Sequence, residues 1–134
     1  MKKIERRNPQ KVPAPVGKYS HVTRVPKDAE LIFLSGQVGM NQNQTFSEEL
    51  NSQISQVFEN IDNVMAAEKL AFGNVIKVNI WATEEIEWDK LDKEWDKRFS
   101  GKYPSMTIAY IDALGLSEIK IEIELIIASF NDNE

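Results

Sequence analysis

Cysteine is absent from this chain of 134 residues, and histidine occurs once, as His21. The first absence removes disulfides, thiolate nucleophiles and zinc–thiolate centres in one step. The single imidazole argues as strongly against a histidine-rich metal site, so neither a metal nor a cofactor is expected. No apolar run approaches the roughly 20 residues of a membrane-spanning helix. The N-terminal MKKIERRNPQ lacks the apolar centre of a secretory signal. The expectation is a cytoplasmic protein that makes no membrane contact. Internal repeats and low-complexity segments are missing as well.

What is present is ordinary for a globular domain: 42% hydrophobic and 28% charged residues, in a length that suits one core and not two. Residues 1–134 are therefore read as a single domain. The formal net charge of −5 is unevenly distributed, because residues 1–18 carry Lys2, Lys3, Arg6, Arg7, Lys11 and Lys18 against Glu5 alone. Residues 1–12, with Pro9 among them and Pro13 and Pro15 just beyond, read as a basic, flexible N-terminal arm. The acidic body repels phosphate backbones, which argues against nucleic acid as a partner.

Ile119 to Ala128, IKIEIELIIA, alternates Ile119, Ile121, Ile123, Leu125 and Ile127 with Lys120, Glu122, Glu124, Ile126 and Ala128. That period of two predicts a strand with one aliphatic face to be covered and one mixed face carrying Glu122, with Lys120 as its expected partner. Upstream, Tyr19–Val25 and Leu31–Val38 read as two strands that suggest a hairpin, with Gly36 marking a bulge or a close approach to the backbone. Thr45-Phe46-Ser47-Glu48 has the form of a capping box. Leu50, Ile54, Val57, Phe58, Ile61, Val64 and Met65 then step by three and four along a helix. Val75–Thr83 predicts a third strand, and Trp88, Leu91, Trp95 and Phe99 a second helix whose aromatic stripe reads as core before it reads as a ligand site. Ser105–Asp112 is the fourth strand.

The order is ββαβαββ, an α+β sheet whose two helices cover one face. Its other face holds Trp81, Ile126 and Ala128, too apolar to leave wet, so closure against other copies of the chain is expected. Clefts between subunits are common ligand sites.

Gly17-Lys18-Tyr19-Ser20-His21, Leu34-Ser35-Gly36-Gln37-Val38, the helix segment VFENIDN from Val57 to Asn63, and Ile121-Glu122-Ile123-Glu124 stand in the order found in the RidA/YjgF family, which the chain resembles from about Pro13 to Ala128. The resemblance implies a chorismate-mutase-like fold, a homotrimer with a small-molecule cleft at each subunit interface, and cofactor-free hydrolysis of reactive enamines and imines to keto acids and ammonia. It also implies residue roles. Glu122 matches the glutamate that positions the attacking water, Tyr19 the cleft tyrosine, and Ser35 and Gly36 the backbone contact. Asp92 stands where a helix asparagine often contributes.

The family's carboxylate-clamping arginine, in a Pro-Ala-Arg-Ser/Thr motif, is replaced, since Pro104-Ser105-Met106-Thr107 puts Met106 there. Lys18 and Gly39 depart from the family pattern too. Methionine offers a polarisable apolar surface in place of a planar charged fork. Three functions stay open: an imine or enamine deaminase with altered substrate preference, a non-catalytic trimer that binds a small ligand in the same cleft, and, least supported, RNA binding or cleavage.

Overall fold

The computed structural model describes residues 3–130, and Met1 and Lys2 of the basic arm lie outside them. Seven strands and two helices follow one another as β1 (Glu5–Arg7), β2 (Val22–Arg24), β3 (Glu30–Phe33), β4 (Gln37–Val38), α1 (Leu50–Ala67), β5 (Val75–Ala82), α2 (Trp88–Phe99), β6 (Ser105–Tyr110) and β7 (Ile121–Ser129). A single turn of 3-10 helix, Phe72–Asn74, joins α1 to β5. The α+β class with two helices on a mixed sheet holds.

β7 is the strand around which the sheet is ordered. It pairs antiparallel with β3 and β4 on one side and with β5 on the other, and β6 runs parallel to β5 as one edge of the sheet. Its alternation does what the sequence requires: Ile121, Ile123, Leu125 and Ile127 are buried under the helices, while Glu122, Glu124 and Ile126 are half-buried on the opposite face. From α1, the stripe Leu50, Ile54, Val57, Phe58, Ile61 and Met65 packs into the same core, joined by Leu91, Trp95 and Phe99 from α2. The pairing of β5 with β7 slips by one residue between Val75 and Lys77, which brings both Val75 and Ile76 inside.

Four local expectations are corrected. The arm is not free of structure: Glu5–Arg7 pairs antiparallel with Val22–Arg24, and the Arg6 guanidinium donates to the carbonyls of Gly73 and Val75 at 2.9 and 3.1 Å. The hairpin between the second and third strands does not form, because β2 takes the arm as its partner and β3 takes β7. Leu31–Val38 is accordingly two short strands, interrupted at Ser35-Gly36 where the Gly36 break was expected. The capping box does not form either. Thr45 is held in a turn by Asn41, and α1 opens at Leu50 after Glu49 with no side-chain cap.

Gln53, fully buried at the start of α1, supplies the stitching that a cap would have given. Its amide donates to the carbonyls of Ser47 and Glu118, both at 2.8 Å, and its oxygen accepts from the Lys120 N–H at 2.9 Å. Gly39 has an equally local reason. A Cβ there would sit 2.6 Å from the Gln53 carbonyl oxygen, so only glycine lets the chain after β4 pass this close to α1. Two turns further along α1, Asn60 of the VFENIDN segment donates to the carbonyls of Val38 and Met40, each at 2.9 Å, and ties β4 to the helix.

Candidate functional site

The residues singled out in the sequence fall into two groups on opposite faces of the sheet. The first group surrounds a cavity of about 420 Å³ between α2, β6 and the segment before β2. Tyr19, Asp92 and Met106 all line it, and Trp88, Leu91, Trp95 and Ile108 complete most of its wall. Met106 pairs with Val78 in the register of β6 on β5, and Val78 is buried in the core, so the Met106 side chain lies on the helix side of the sheet.

Three contacts fix the segment that carries Tyr19. The indole Nε1–H of Trp95 donates to the Lys18 carbonyl at 2.8 Å, the Ser20 hydroxyl donates to the Tyr103 carbonyl at 2.6 Å, and Thr23 and Ser105 share a hydroxyl hydrogen bond at 2.8 Å. Tyr19 itself accepts from the Val16 N–H at 3.3 Å and meets His21 edge to face at 5.6 Å. The aromatic stripe of α2 thus serves two ends: Trp95 is core and wall at once, while Trp88, 44% exposed, stands at the mouth.

Among the described residues, no free cation lines the cavity. Lys18 is its lining base, and its ammonium is hydrogen-bonded to Asp96, whose other oxygen accepts from the Tyr103 hydroxyl at 2.8 Å. The hydrogen bond to Asp96 raises the Lys18 pKa, and the hydrogen bonds from Lys18 and Tyr103 lower that of Asp96. The Asp92 carboxylate, half-buried, makes no hydrogen bond and no salt bridge among the described residues, although its charge also acts on the Lys18 ammonium. Farther round α2, Arg98 holds the helix to α1 through two hydrogen bonds to Asp62, both at 2.7 Å, with its guanidinium 4.8 Å over the Phe58 ring of α1, and it also bonds to Glu94 one turn back on its own helix at 2.9 Å. Burial opposes charge on Arg98, yet the bonds to Asp62 and Glu94 raise its pKa above the ordinary value.

The second group is Glu122 with Ser35 and Gly36. Glu122 pairs with Trp81 on β5 and Val38 on β4, which places it on the face away from the helices. A Cβ at Gly36 would lie 2.1 Å from Glu122 Oε2 and 2.6 Å from its Cδ, so the carboxylate occupies the space that glycine leaves open. The expected partnership with Lys120 is absent. The Lys120 ammonium pairs with Glu84, and Glu122 rests against the Gly36 backbone. Glu124, one step along, accepts from the Asn79 amide at 2.8 Å.

One chain therefore unites Tyr19, Asp92 and Met106, and separately unites Glu122, Ser35 and Gly36; it does not unite the two sets. The cavity-lining Trp88, Leu91, Trp95 and Ile108 were not named as site residues from sequence, although the stripe of α2 was the signal that located the first three.

The family described as Endoribonuclease L-PSP matches residues 9–129. The chain belongs to the RidA/YjgF family. It is 30% identical over 117 residues to a RutC family protein of Aquifex aeolicus, covering 84% of this chain and 91% of that one. Reactive Intermediate Deaminase A, chloroplastic, of Arabidopsis thaliana is 29% identical over 119 residues, 87% of this chain and 62% of its own longer sequence. Among solved structures, the Rid family protein YyfB of Yersinia pestis superposes with a TM-score of 0.78 over 96% of this chain and 99% of that one, at 19% identity, a likeness of fold. A RidA-like function follows from these relatives at the level of the family.

Proposed function

We propose that this RidA/YjgF member is a cofactor-free deaminase whose substrate is a reactive imine or enamine without an α-carboxylate. The observation that carries the substrate preference is the wall of the cavity: Met106 and Ile108 beside tryptophan and leucine, with the one lining ammonium engaged by Asp96. A carboxylate placed there would find no free counter-charge and would lie near Asp92.

The chemistry needs a positioned water and a proton shuttle. Water adds to the carbon of C=N while a carboxylate takes its proton and the nitrogen gains one. The resulting carbinolamine then collapses to C=O, its hydroxyl proton moves to nitrogen, and ammonia leaves, or an amine where the nitrogen carries an alkyl group. Glu122 is the group proposed to carry the proton, an effect typically worth about 10² to 10⁴-fold.

Because Glu122 and Met106 sit on opposite faces, the proposal requires assembly. In a homotrimer, Glu122 with Ser35 and Gly36 from one subunit would meet the Tyr19, Asp92 and Met106 cavity of the next. Two features support that arrangement. β6 is an edge strand of the sheet, so the cavity beside it lies at an edge open to a neighbour. The face away from the helices also carries Phe33, 67% exposed, with half-buried Trp81 and Ile126, an apolar surface suited to burial between copies.

Glu122→Gln tests this reading. It should abolish turnover of an uncarboxylated imine generated in solution while light scattering still returns three times the 15.3 kDa of one chain. Undiminished turnover would remove Glu122 from the mechanism. Saturable ligand binding by the native protein with no turnover of any imine would leave a binding trimer as the function.

A further inference from the structure

We propose that the cavity between α2 and β6 binds an apolar organic cation, a nitrogen carrying positive charge and alkyl groups. This deepens the reading of the same site: the ligand would be a protonated imine or a like-charged amine, and not merely a molecule that lacks a carboxylate.

Two independent features meet there. Tyr19, Trp88 and Trp95 all line the cavity, and the negative face of an aromatic ring attracts alkylated ammonium groups, tryptophan most strongly. Asp92 lines it as well, half-buried and without a hydrogen bond or salt bridge among the described residues.

The local charge count points the same way. Asp92 and Asp96 face one ammonium, that of Lys18, and Lys18 is hydrogen-bonded to Asp96. One negative charge is therefore left over at the site. An anion is repelled by it, and a neutral molecule leaves that charge uncompensated. An alkylated cation satisfies the carboxylate and the aromatic wall together, while its alkyl groups cover Met106, Leu91 and Ile108. The sulfur of Met106 adds a polarisable surface that tolerates either charge state.

Choline and its uncharged carbon isostere, 3,3-dimethylbutan-1-ol, differ in charge and hardly in shape, which makes them suitable probes. Titration of the native full-length protein, followed by calorimetry and by tryptophan fluorescence, should give choline a Kd lower than that of the alcohol by about tenfold or more, with butanoate weaker than both. Asp92→Asn should bring choline close to the alcohol while leaving the alcohol's affinity in place, and Trp88→Leu should weaken choline more than the alcohol. Thermal melts establish that each variant is folded.

Equal affinity of choline and the alcohol in the native protein would overturn the proposal, as would an unchanged preference in folded Asp92→Asn. The deaminase reading fails separately. Selective choline binding without turnover of any imine leaves the cation site standing alone, whereas turnover of imines without cation preference removes the cation site and keeps the enzyme.

Discussion

Gly36→Ala isolates the link between the Ser35-Gly36 break and Glu122. An alanine Cβ at this position would stand 2.1 Å from Glu122 Oε2, 2.6 Å from Cδ and 2.7 Å from Cγ, far inside the 3.4 Å at which ordinary contact begins. The nearest atoms belong to the end of a flexible side chain and not to backbone, so the carboxylate gives way before the sheet does. It must retreat by about 1 Å, and a misplacement of that size costs a catalytic group roughly 10²-fold in rate. The stability cost is expected to stay near that of an ordinary point substitution, about 1 kcal/mol. The assay is kcat/KM for an uncarboxylated imine, measured beside a thermal melt and the mass of the assembly. A folded, trimeric Gly36→Ala protein that keeps full turnover would refute the reasoning, because the displaced carboxylate would then have no part in the reaction. Loss of folding would show that the side chain is wedged, and that its role is structural.

Met106→Arg alone should add less than about tenfold to kcat/KM on a 2-imino acid, because Asp92 lines the same cavity and would pair with the new guanidinium. Combined with Asp92→Asn, the same substitution should add roughly 10- to 100-fold, the size of one charged hydrogen bond; equal gains from the single and double variants would contradict the placement of Asp92. Gln53→Ala strands three backbone groups, the carbonyls of Ser47 and Glu118 and the N–H of Lys120, and should cost about 3 kcal/mol in denaturant unfolding; a change within error would mean water replaces the amide. Burial opposes charge on Glu94, but hydrogen bonds from Arg98 and Lys90 hold its pKa below the ordinary 4.5. Its stabilising contribution is therefore full above that value and is lost as pH falls through the depressed pKa. Glu94→Gln should be less stable than the native protein at neutral pH and should flatten the acid limb of the stability curve, which unfolding at a series of pH values reads directly.

Periodicity carried most of the fold. The alternation of Ile121 to Ile127 and the stripe from Leu50 to Met65 each require a covered face, and one core satisfies both. Misreadings arose where two local partners competed. Val22–Arg24 lies close in sequence to β3, yet Glu5–Arg7 takes it, because Arg6 gains two carbonyl acceptors near β5 that no hairpin would supply. Thr45 fits a capping box by spacing but is drawn into the Asn41 turn. Lys120 precedes the strand, where Glu84 reaches its ammonium, so spacing on a face did not decide its partner.

At the site, Tyr19, Asp92 and Met106 come together from three distant segments, and resemblance named them. That Met106 and Glu122 face opposite ways was not legible, since it depends on the register of β6 on β5 and of β5 on β7. The family resemblance was carried in part by residues with scaffold duties. Asn60 ties β4 to α1, and Gly39 departs from the pattern where the backbone passes close to Gln53.

The most direct measurement of the account is the ratio of kcat/KM for two imines of matched size, one carrying an α-carboxylate and one not, generated in solution and followed by loss of imine absorbance. With Met106 and the surplus negative charge of Asp92 in the cavity, the account predicts that the uncarboxylated imine is preferred by about tenfold or more, and that Glu122→Gln abolishes turnover of both. Preference for the 2-imino acid, or equal turnover of the two, would contradict it.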